Sequence, residues 1–449
     1  MKTLNKIKKP YAVILFIIFF LSSAFDRSFI GIQMLGFRVG ELIVGLFFLQ
    51  GILFLTFNRK LITKLNLEKF AYSLRIYKII ILTFILSVIY FETNITSTYP
   101  YKVSSYLWMC SLVFISYFIY ESSNFTNRYV SKSIYLYASL PLIHYIFSSG
   151  YYPNFLMDFF IKYSDKFTFT KASDIMLVLV ISNLMLFSTV KNKKYSFFYC
   201  ALTVPLLLPL LLEMSRGSFI GALTFFILVV LFNFKYLVSN PRVALAFVIL
   251  SAGIFVISTY RISGIEFDLS QSDDVVVDRS VSANLAKIAK KNETRKAFFS
   301  FYIENGRLVS NDNTTNWRLD IWQDVIDDLR AKNLLSTGYG YNEIIPVMTD
   351  PSAPGRLGRD GLNEHVHSYI FNILARGGIL QLILFALFHL SFIVAWHKKY
   401  KNYMILLLMV PVFLNSATDM NMEGVQFPYI YYLFLGILFK LNKKELNIY

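Results

Sequence analysis

The chain has 449 residues, 55% of them hydrophobic and only 16% charged, with a formal net charge of +16. That make-up excludes an ordinary soluble domain. Its two cysteines, Cys110 and Cys200, both fall inside apolar runs, so they read as small core residues and no disulfide framework is expected.

Taken in order, the apolar residues form twelve blocks, at 10–25, 39–57, 74–91, 103–120, 132–149, 174–190, 195–213, 217–238, 241–259, 366–396, 402–418 and 425–440. Their lengths are those of helices that cross a hydrocarbon layer. The first follows Lys2, Lys6, Lys8 and Lys9 as a signal peptide would. No small-residue cleavage site comes after it, and Asp26-Arg27 ends the run, so it is expected to be a span. With the N-terminus in the cytoplasm, twelve spans return the C-terminus there. The short inner segments then carry twenty-three Lys and Arg residues. The short outer loops carry seven: Arg27, Arg38, Lys102, Lys162, Lys166, Lys171 and Arg216. This asymmetry fixes the orientation and accounts for much of the positive charge as a topology signal beside an anionic inner leaflet, not as a nucleic-acid surface.

The expected organisation is all-α: nine spans over 1–259, one large, mostly helical outer loop over 260–365, and three spans over 366–449. Within the loop, Ser280 to Phe301 is polar with periodic Leu285, Ile288, Ala289 and Phe298. Thr314 or Thr315 is expected to cap a helix that runs to about Lys332. Trp317, Ile321, Val325 and Leu329 recur every four residues and make its apolar face, while Arg318 and Trp322 share an adjacent one. Gly338 and Gly340 permit a tight turn, and Pro351, Pro354 and Gly355 read as a flexible connection. After Glu364-His365-Val366-His367-Ser368 comes an apolar helix interrupted by Arg376-Gly377-Gly378. No internal repeat is evident.

The chain has no phosphate-binding glycine loop, no dinucleotide fingerprint and no His-Glu-x-x-His zinc motif. Asp273-Asp274 and Asp327-Asp328 are adjacent pairs whose side chains diverge, which makes a poor metal clamp. Outside the cytoplasm there is no ATP, so a reaction there runs on energy stored in its substrate.

Arg216 sits between two apolar spans, in Glu213-Met214-Ser215-Arg216-Gly217-Ser218. An Arg at a helix N-terminus opposes the helix dipole, and ionisable residues at membrane depth point to function; the alternative is an Arg that snorkels to the interface. Arg318 lies between Trp317 and Trp322, two of the four tryptophans of the chain. The alternative for it is a solvated helix face. A guanidinium binds phosphate bidentately, so Arg216 and Arg318 together suit a diphosphate. His367 begins the tenth span, where the helix dipole disfavours imidazolium and leaves a neutral ring able to accept a proton. The alternative is an interfacial hydrogen-bonding His, and His365, two residues earlier, competes for the role. His144, His389 and His397 read as structural.

The ordered set Ser215-Arg216-Gly217, Arg318-Leu319-Asp320-Ile321-Trp322, Gly338-Tyr339-Gly340 and His367-Ser368, with Gly378 following, resembles the O-antigen ligase and polymerase superfamily. So does the setting of twelve spans with one large periplasmic loop. After Gly378 the chain departs from the ligase pattern, continuing as Ile379-Leu380-Gln381-Leu382-Ile383. The resemblance implies a metal-independent, inverting glycosyltransferase of the GT-C type in the bacterial inner membrane, needing no cofactor, with both termini cytoplasmic and its site facing the periplasm. Its donor would be a glycan on undecaprenyl diphosphate. Arg216 and Arg318 would bind the diphosphate, His367 would be the general base, and Asp419, with Trp322 and His365, would support acceptor or base. The first expectation is a ligase acting on lipid A–core in lipopolysaccharide biosynthesis. The alternative is a polymerase joining lipid-linked repeat units, for which Arg295 and Gly306 match an Arg-x10-Gly pattern. A secondary transporter or a non-catalytic scaffold remains as a reading of another class.

Overall fold

The computed structural model describes residues 2–121, 131–149, 151–190, 192–263, 301–353, 355–357, 361 and 364–441. Each apolar block of the sequence is largely helical. Among the described residues, six helices are long and apolar enough to cross a membrane: Pro10–Ile30, Glu68–Tyr90, Ala172–Thr189, Lys193–Met214, Pro241–Ile262 and Tyr369–Tyr400. Five shorter apolar helices accompany them: Val39–Leu55, Ser105–Tyr120, Arg216–Phe232, Leu406–Thr418 and Gln426–Leu441. Leu86, Leu231, Leu245, Ile249 and Leu390 stand exposed on helix surfaces, as side chains that face lipid do. The protein is a helical integral membrane protein. Both cysteines are free and buried.

Small residues let helices approach closely. Gly217, Ser218 and Gly221 press the start of Arg216–Phe232 against the helix Leu406–Thr418. A Cβ on Gly217 would fall 2.0 Å from Thr418 Oγ1 and one on Gly221 3.1 Å from the Pro411 carbonyl oxygen. Asn415 Nδ2 donates to Ser218 Oγ at 2.8 Å across the seam. Backbones that come this close pack well without a hydrophobic driving force, which lipid does not supply.

The helix Tyr369–Tyr400 breaks at Gly378, whose φ is +67°. In an unbroken helix the Ala375 and Arg376 carbonyls would bond to amides four residues on. Here the Gly338-Tyr339-Gly340 loop takes them: Tyr339 N–H donates to Ala375 O at 2.7 Å and Gly340 N–H to Arg376 O at 3.0 Å, while Ile379 N–H donates to Leu335 O at 2.9 Å. The buried Arg376 guanidinium adds bonds to the Gly340 and Glu343 carbonyls and to the Tyr99 hydroxyl. Every freed backbone group named here is re-paired, the condition for irregular chain inside a bundle.

Above this break lies the polar helix Asn313–Ala331. Ile321, Val325 and Leu329 are fully buried in a second core with Ile345, Val347, Val366 and Ala375, and Trp317 packs against it. A flanking face carries charge. Arg307 and Arg356 both pair with Asp320 and Asp324, and Arg356 also donates to Val347 O at 3.0 Å. The connection marked by Pro351 and Gly355 is therefore pinned by a buried Arg356 instead of running free as the sequence suggested.

Two further expectations need correction. The described part of residues 260–365 is not mostly helical, because Phe301–Glu304 and Arg307–Ser310 pair as an antiparallel hairpin. Asn305 and Gly306 at its turn have φ of +50° and +77°, the left-handed pair that an Asn-Gly hairpin turn requires. The helix cap is Asp312, not Thr314 or Thr315. The periodic stretch with Leu285, Ile288, Ala289 and Phe298 lies outside the described residues, as do Arg295, Pro354 and Asp273-Asp274.

A Cβ at Gly378 would fall 2.3 Å from the Ser336 carbonyl carbon and oxygen, whereas one at Gly253 meets open space. Gly378→Ala is therefore expected to destabilise by about 2–4 kcal/mol, through clash and a strained φ, and Gly253→Ala to be neutral or mildly stabilising. Thermal unfolding of both variants in the same detergent checks this; equal midpoints would mean that the break does not constrain the fold.

Candidate functional site

Three segments meet at one end of the bundle around the Thr418-Asp419 corner. The first is the start of Arg216–Phe232. Ser215 is its N-cap, accepting from Ser218 N–H at 3.5 Å, and Arg216 is its first helical residue. The guanidinium thus sits at the unfavourable end of the helix dipole. Asp312 offsets this: Arg216 Nη1 lies 2.8 Å from Asp312 Oδ1.

Asp312 belongs to the second segment. Its other oxygen, Oδ2, accepts from the Thr315 amide at 2.8 Å and the Thr315 hydroxyl at 2.6 Å and so caps Asn313–Ala331. Burial works to raise the pKa of this carboxyl, but the Thr315 bonds and Arg216 outweigh it and hold it below the usual carboxylate range. One turn into the helix, Arg318 Nη1 donates to the Thr418 carbonyl at 2.8 Å. Its Nε is buried without a partner among the described residues. Loss of water lowers the pKa of Arg318, and Arg216 adds to the shift while Asp419 and Asp312 oppose it. The two arginines are therefore electrostatic neighbours.

The third segment precedes the kinked helix. Tyr369 N–H donates to Asp419 O at 3.2 Å, so the same corner holds Arg318 and the start of this helix. Ser368 is the N-cap. His367, just before it, has φ of +57°, a left-handed conformation that is uncommon for a residue with a side chain. Its ring lies 4.7 Å from the Trp317 ring. Burial, then Arg318, His365 and Lys171, push its pKa down to about 4. The ring is neutral as expected, but loss of water is the main cause, not the helix dipole. His367 Nε2 is buried and has no hydrogen-bond partner among the described residues.

The remaining sequence candidates take other places. Trp322 Nε1 donates to Val366 O at 2.6 Å and its indole stacks on Phe371 at 4.8 Å; it holds the His-bearing strand. His365 is not loosely held: its Nδ1 lies 3.2 Å from Glu423 Oε2. The Glu423 carboxyl is raised by burial, against the opposing pull of His365, Arg376 and Lys102. Asp419 accepts from Met420 N–H through Oδ1 at 2.8 Å and acts on both Arg318 and Lys171. His144 and His389 bond to the Ser23 and Phe385 carbonyls in the core, and His397 stacks on Tyr403. The Asp320 and Asp324 carboxylates are engaged by Arg307 and Arg356, which leaves them poor cation ligands. Sequence reasoning missed Asp312, Glu423 and Lys171. Only Asp312 carries a signal, as an Asp three residues before Thr315 at a helix start.

The site thus sets the Arg318 guanidinium beside a neutral imidazole, with Arg216 acting on Arg318 in turn. Residues 201–386, the stretch holding Arg216, Arg318 and His367, match the family model for O-antigen ligase. The match supports a function of the O-antigen ligase and polymerase type. No curated protein matches the chain.

A ring whose folded pKa is lowered resists protonation, so the stability His367 contributes is whole above its ordinary pKa of 6.5 and is lost as pH falls toward about 4. NMR titration of histidine-labelled protein should show one ring, absent in His367→Ala, that titrates near 4. A midpoint near 6.5 for that ring would mean that it is solvated and not held in a dry site.

Proposed function

We propose that the protein transfers a glycan from undecaprenyl diphosphate to an acceptor hydroxyl on the periplasmic side of the bacterial inner membrane. The observation that carries this reading is the buried, unpartnered Nε2 of a neutral His367 beside Arg318. An orphaned acceptor in a dry site is costly, and an incoming hydroxyl relieves it. His367 Nε2 takes the proton of the acceptor hydroxyl. The hydroxyl oxygen attacks the anomeric carbon, the bond from that carbon to the diphosphate oxygen breaks, and its electron pair leaves with the diphosphate. Arg216 and Arg318 match the charge that develops there. A single displacement inverts the anomeric centre and calls on no metal. Trp317 packs on the base, Trp322 holds its backbone, and Asp419 orients the corner on which Arg318 rests.

Of the two family activities we favour the ligase, with lipid A–core as acceptor, because the described outer structure converges on one His-bearing site. A deletion strain should then lose all lipopolysaccharide-attached O-chains and accumulate long lipid-linked glycan. A band of core plus one repeat unit would make the protein a polymerase.

A general base contributes about 10²–10⁴-fold, so His367→Ala should cut transfer from purified lipid-linked donor by that order, and His365→Ala much less. Activity in His367→Ala at matched protein levels removes it as base. Arg216→Lys and Arg318→Lys keep charge but lose the bidentate fork and should also fall severely; near-normal surface glycan in both would end the clamp assignment. Reporter fusions at Asn311 and the C-terminus test the orientation, since an active cytoplasmic reporter at Asn311 places the site on the wrong side.

A further inference from the structure

Positive charge extends beyond Arg216 and Arg318. Five of the seven basic residues in the short outer loops gather beside the site: Arg27, Arg38, Lys102, Lys166 and Lys171. Their position is built by backbone and hydroxyl contacts. The chain at 164–171 is laced along 26–32: Ser164 bridges Ile32, Asp165 N–H donates to Gly31 O at 3.3 Å, and Ser28 Oγ donates to Thr168 O at 3.0 Å. Lys171 N–H donates to Asp26 Oδ2 at 3.1 Å. The seam is so close that a Cβ on Gly31 would fall 2.4 Å from Ser164 Oγ and 2.7 Å from Lys166 Cβ. This sets Lys166 and Lys171 beside Arg27. Arg38 joins through Asp165 from the short hairpin in which Gln33–Met34 pairs with Phe37–Arg38. Lys102 pairs at 2.7 Å with Glu364, on the strand that leads to His367.

These cations oppose one another. Lys166 is held below the usual lysine range by loss of water and then by Arg38 and Arg27, with Asp165 opposing. Lys171 is lowered by loss of water and then by Arg27, with Asp174, Asp419 and Asp26 opposing. Arg27, Lys166 and Lys171 form no ion pair among the described residues. Lys171 acts on His367, as Arg318 does. Basic residues in short outer loops also run against the charge asymmetry that orients a membrane protein, so topology does not explain them. A ledge of like charge next to a base calls for an anion brought to that base.

We infer that this ledge binds the anionic, phosphate- or carboxylate-bearing head of the acceptor glycolipid. His367 then lies between a donor clamp at Arg216 and Arg318 and an acceptor ledge at Arg27, Lys166 and Lys171. The inference rests on the transferase reading above and assigns its second substrate a place.

The test is binding first and transfer second, with full-length protein in nanodiscs of zwitterionic phosphatidylcholine. The probes are phosphorylated lipid A–core and the same lipid after removal of its phosphates. Lys166→Ala/Lys171→Ala should weaken binding of the phosphorylated lipid about tenfold or more. The dephosphorylated lipid should bind wild type as weakly as the phosphorylated lipid binds the double variant. Lys166→Arg/Lys171→Arg should restore affinity, which separates lost charge from lost folding. Equal affinity of wild type and the alanine variant for the phosphorylated lipid overturns the ledge. So does loss of the difference in phosphatidylglycerol nanodiscs, since the ledge would then serve bulk lipid headgroups. Transfer is read separately with lipid-linked donor. Charge-dependent binding without transfer by wild type would sink the transferase reading and leave an anion site standing; transfer with lysine-independent binding would do the reverse.

Discussion

The carboxylate of Asp312 joins the two halves of the site. One oxygen caps the polar helix and the other holds Arg216 at the head of a bundle helix. A guanidinium at a helix N-terminus and a carboxylate sheltered from water are each unfavourable alone. Together they offset one another and fix where the polar helix begins. Everything one turn further along that helix inherits the position: Arg318 reaches the Thr418 carbonyl, Trp317 reaches His367, and Trp322 reaches Val366.

The other end of this arrangement is held by a break in a helix. At Gly378 the kinked helix gives up two internal hydrogen bonds, and the Gly338-Tyr339-Gly340 loop, which follows the polar helix, takes both carbonyls. The polar helix is thus anchored at its start by charge and after its end by backbone pairing. Glycine is required on both sides of that contact, because a side chain on Gly338 or Gly378 would enter the opposing backbone. A side chain set on a loop is held more precisely when the loop is short and both flanks are fixed. Here one flank is Trp322 under Val366 and the other is Asp419 under Tyr369.

Much of the helical layout could be read from block length alone, since lipid imposes its thickness on the sequence. Arg216 stood out because an ionisable residue at membrane depth is costly, Arg318 because two of the four tryptophans flank it, and His367 because it begins a span. Asp312 did not, because its pairing with Arg216 spans a separation that no local pattern encodes. The hairpin carried its own sign in Asn305-Gly306, yet the expectation of a helical loop hid it; turn chemistry outranked regional composition. Thr315 was rightly sensed as part of a cap, but as donor to Asp312 and not as the cap itself. Arg356 shows the limit in the other direction: Pro and Gly mark where a chain bends, while a single buried guanidinium decides whether the bend is free.

The depressed basicity of His367 has a consequence for the order of events. Arg318 is one of the charges that hold the ring neutral, second only to burial. A diphosphate seated on Arg318 would cancel that influence and leave the imidazole a better proton acceptor than before. On the proposed transfer, the donor would prime its own reaction: an acceptor arriving first would meet a weak base and one arriving second a stronger one, so a hydroxyl would not be activated where there is no glycan to receive it.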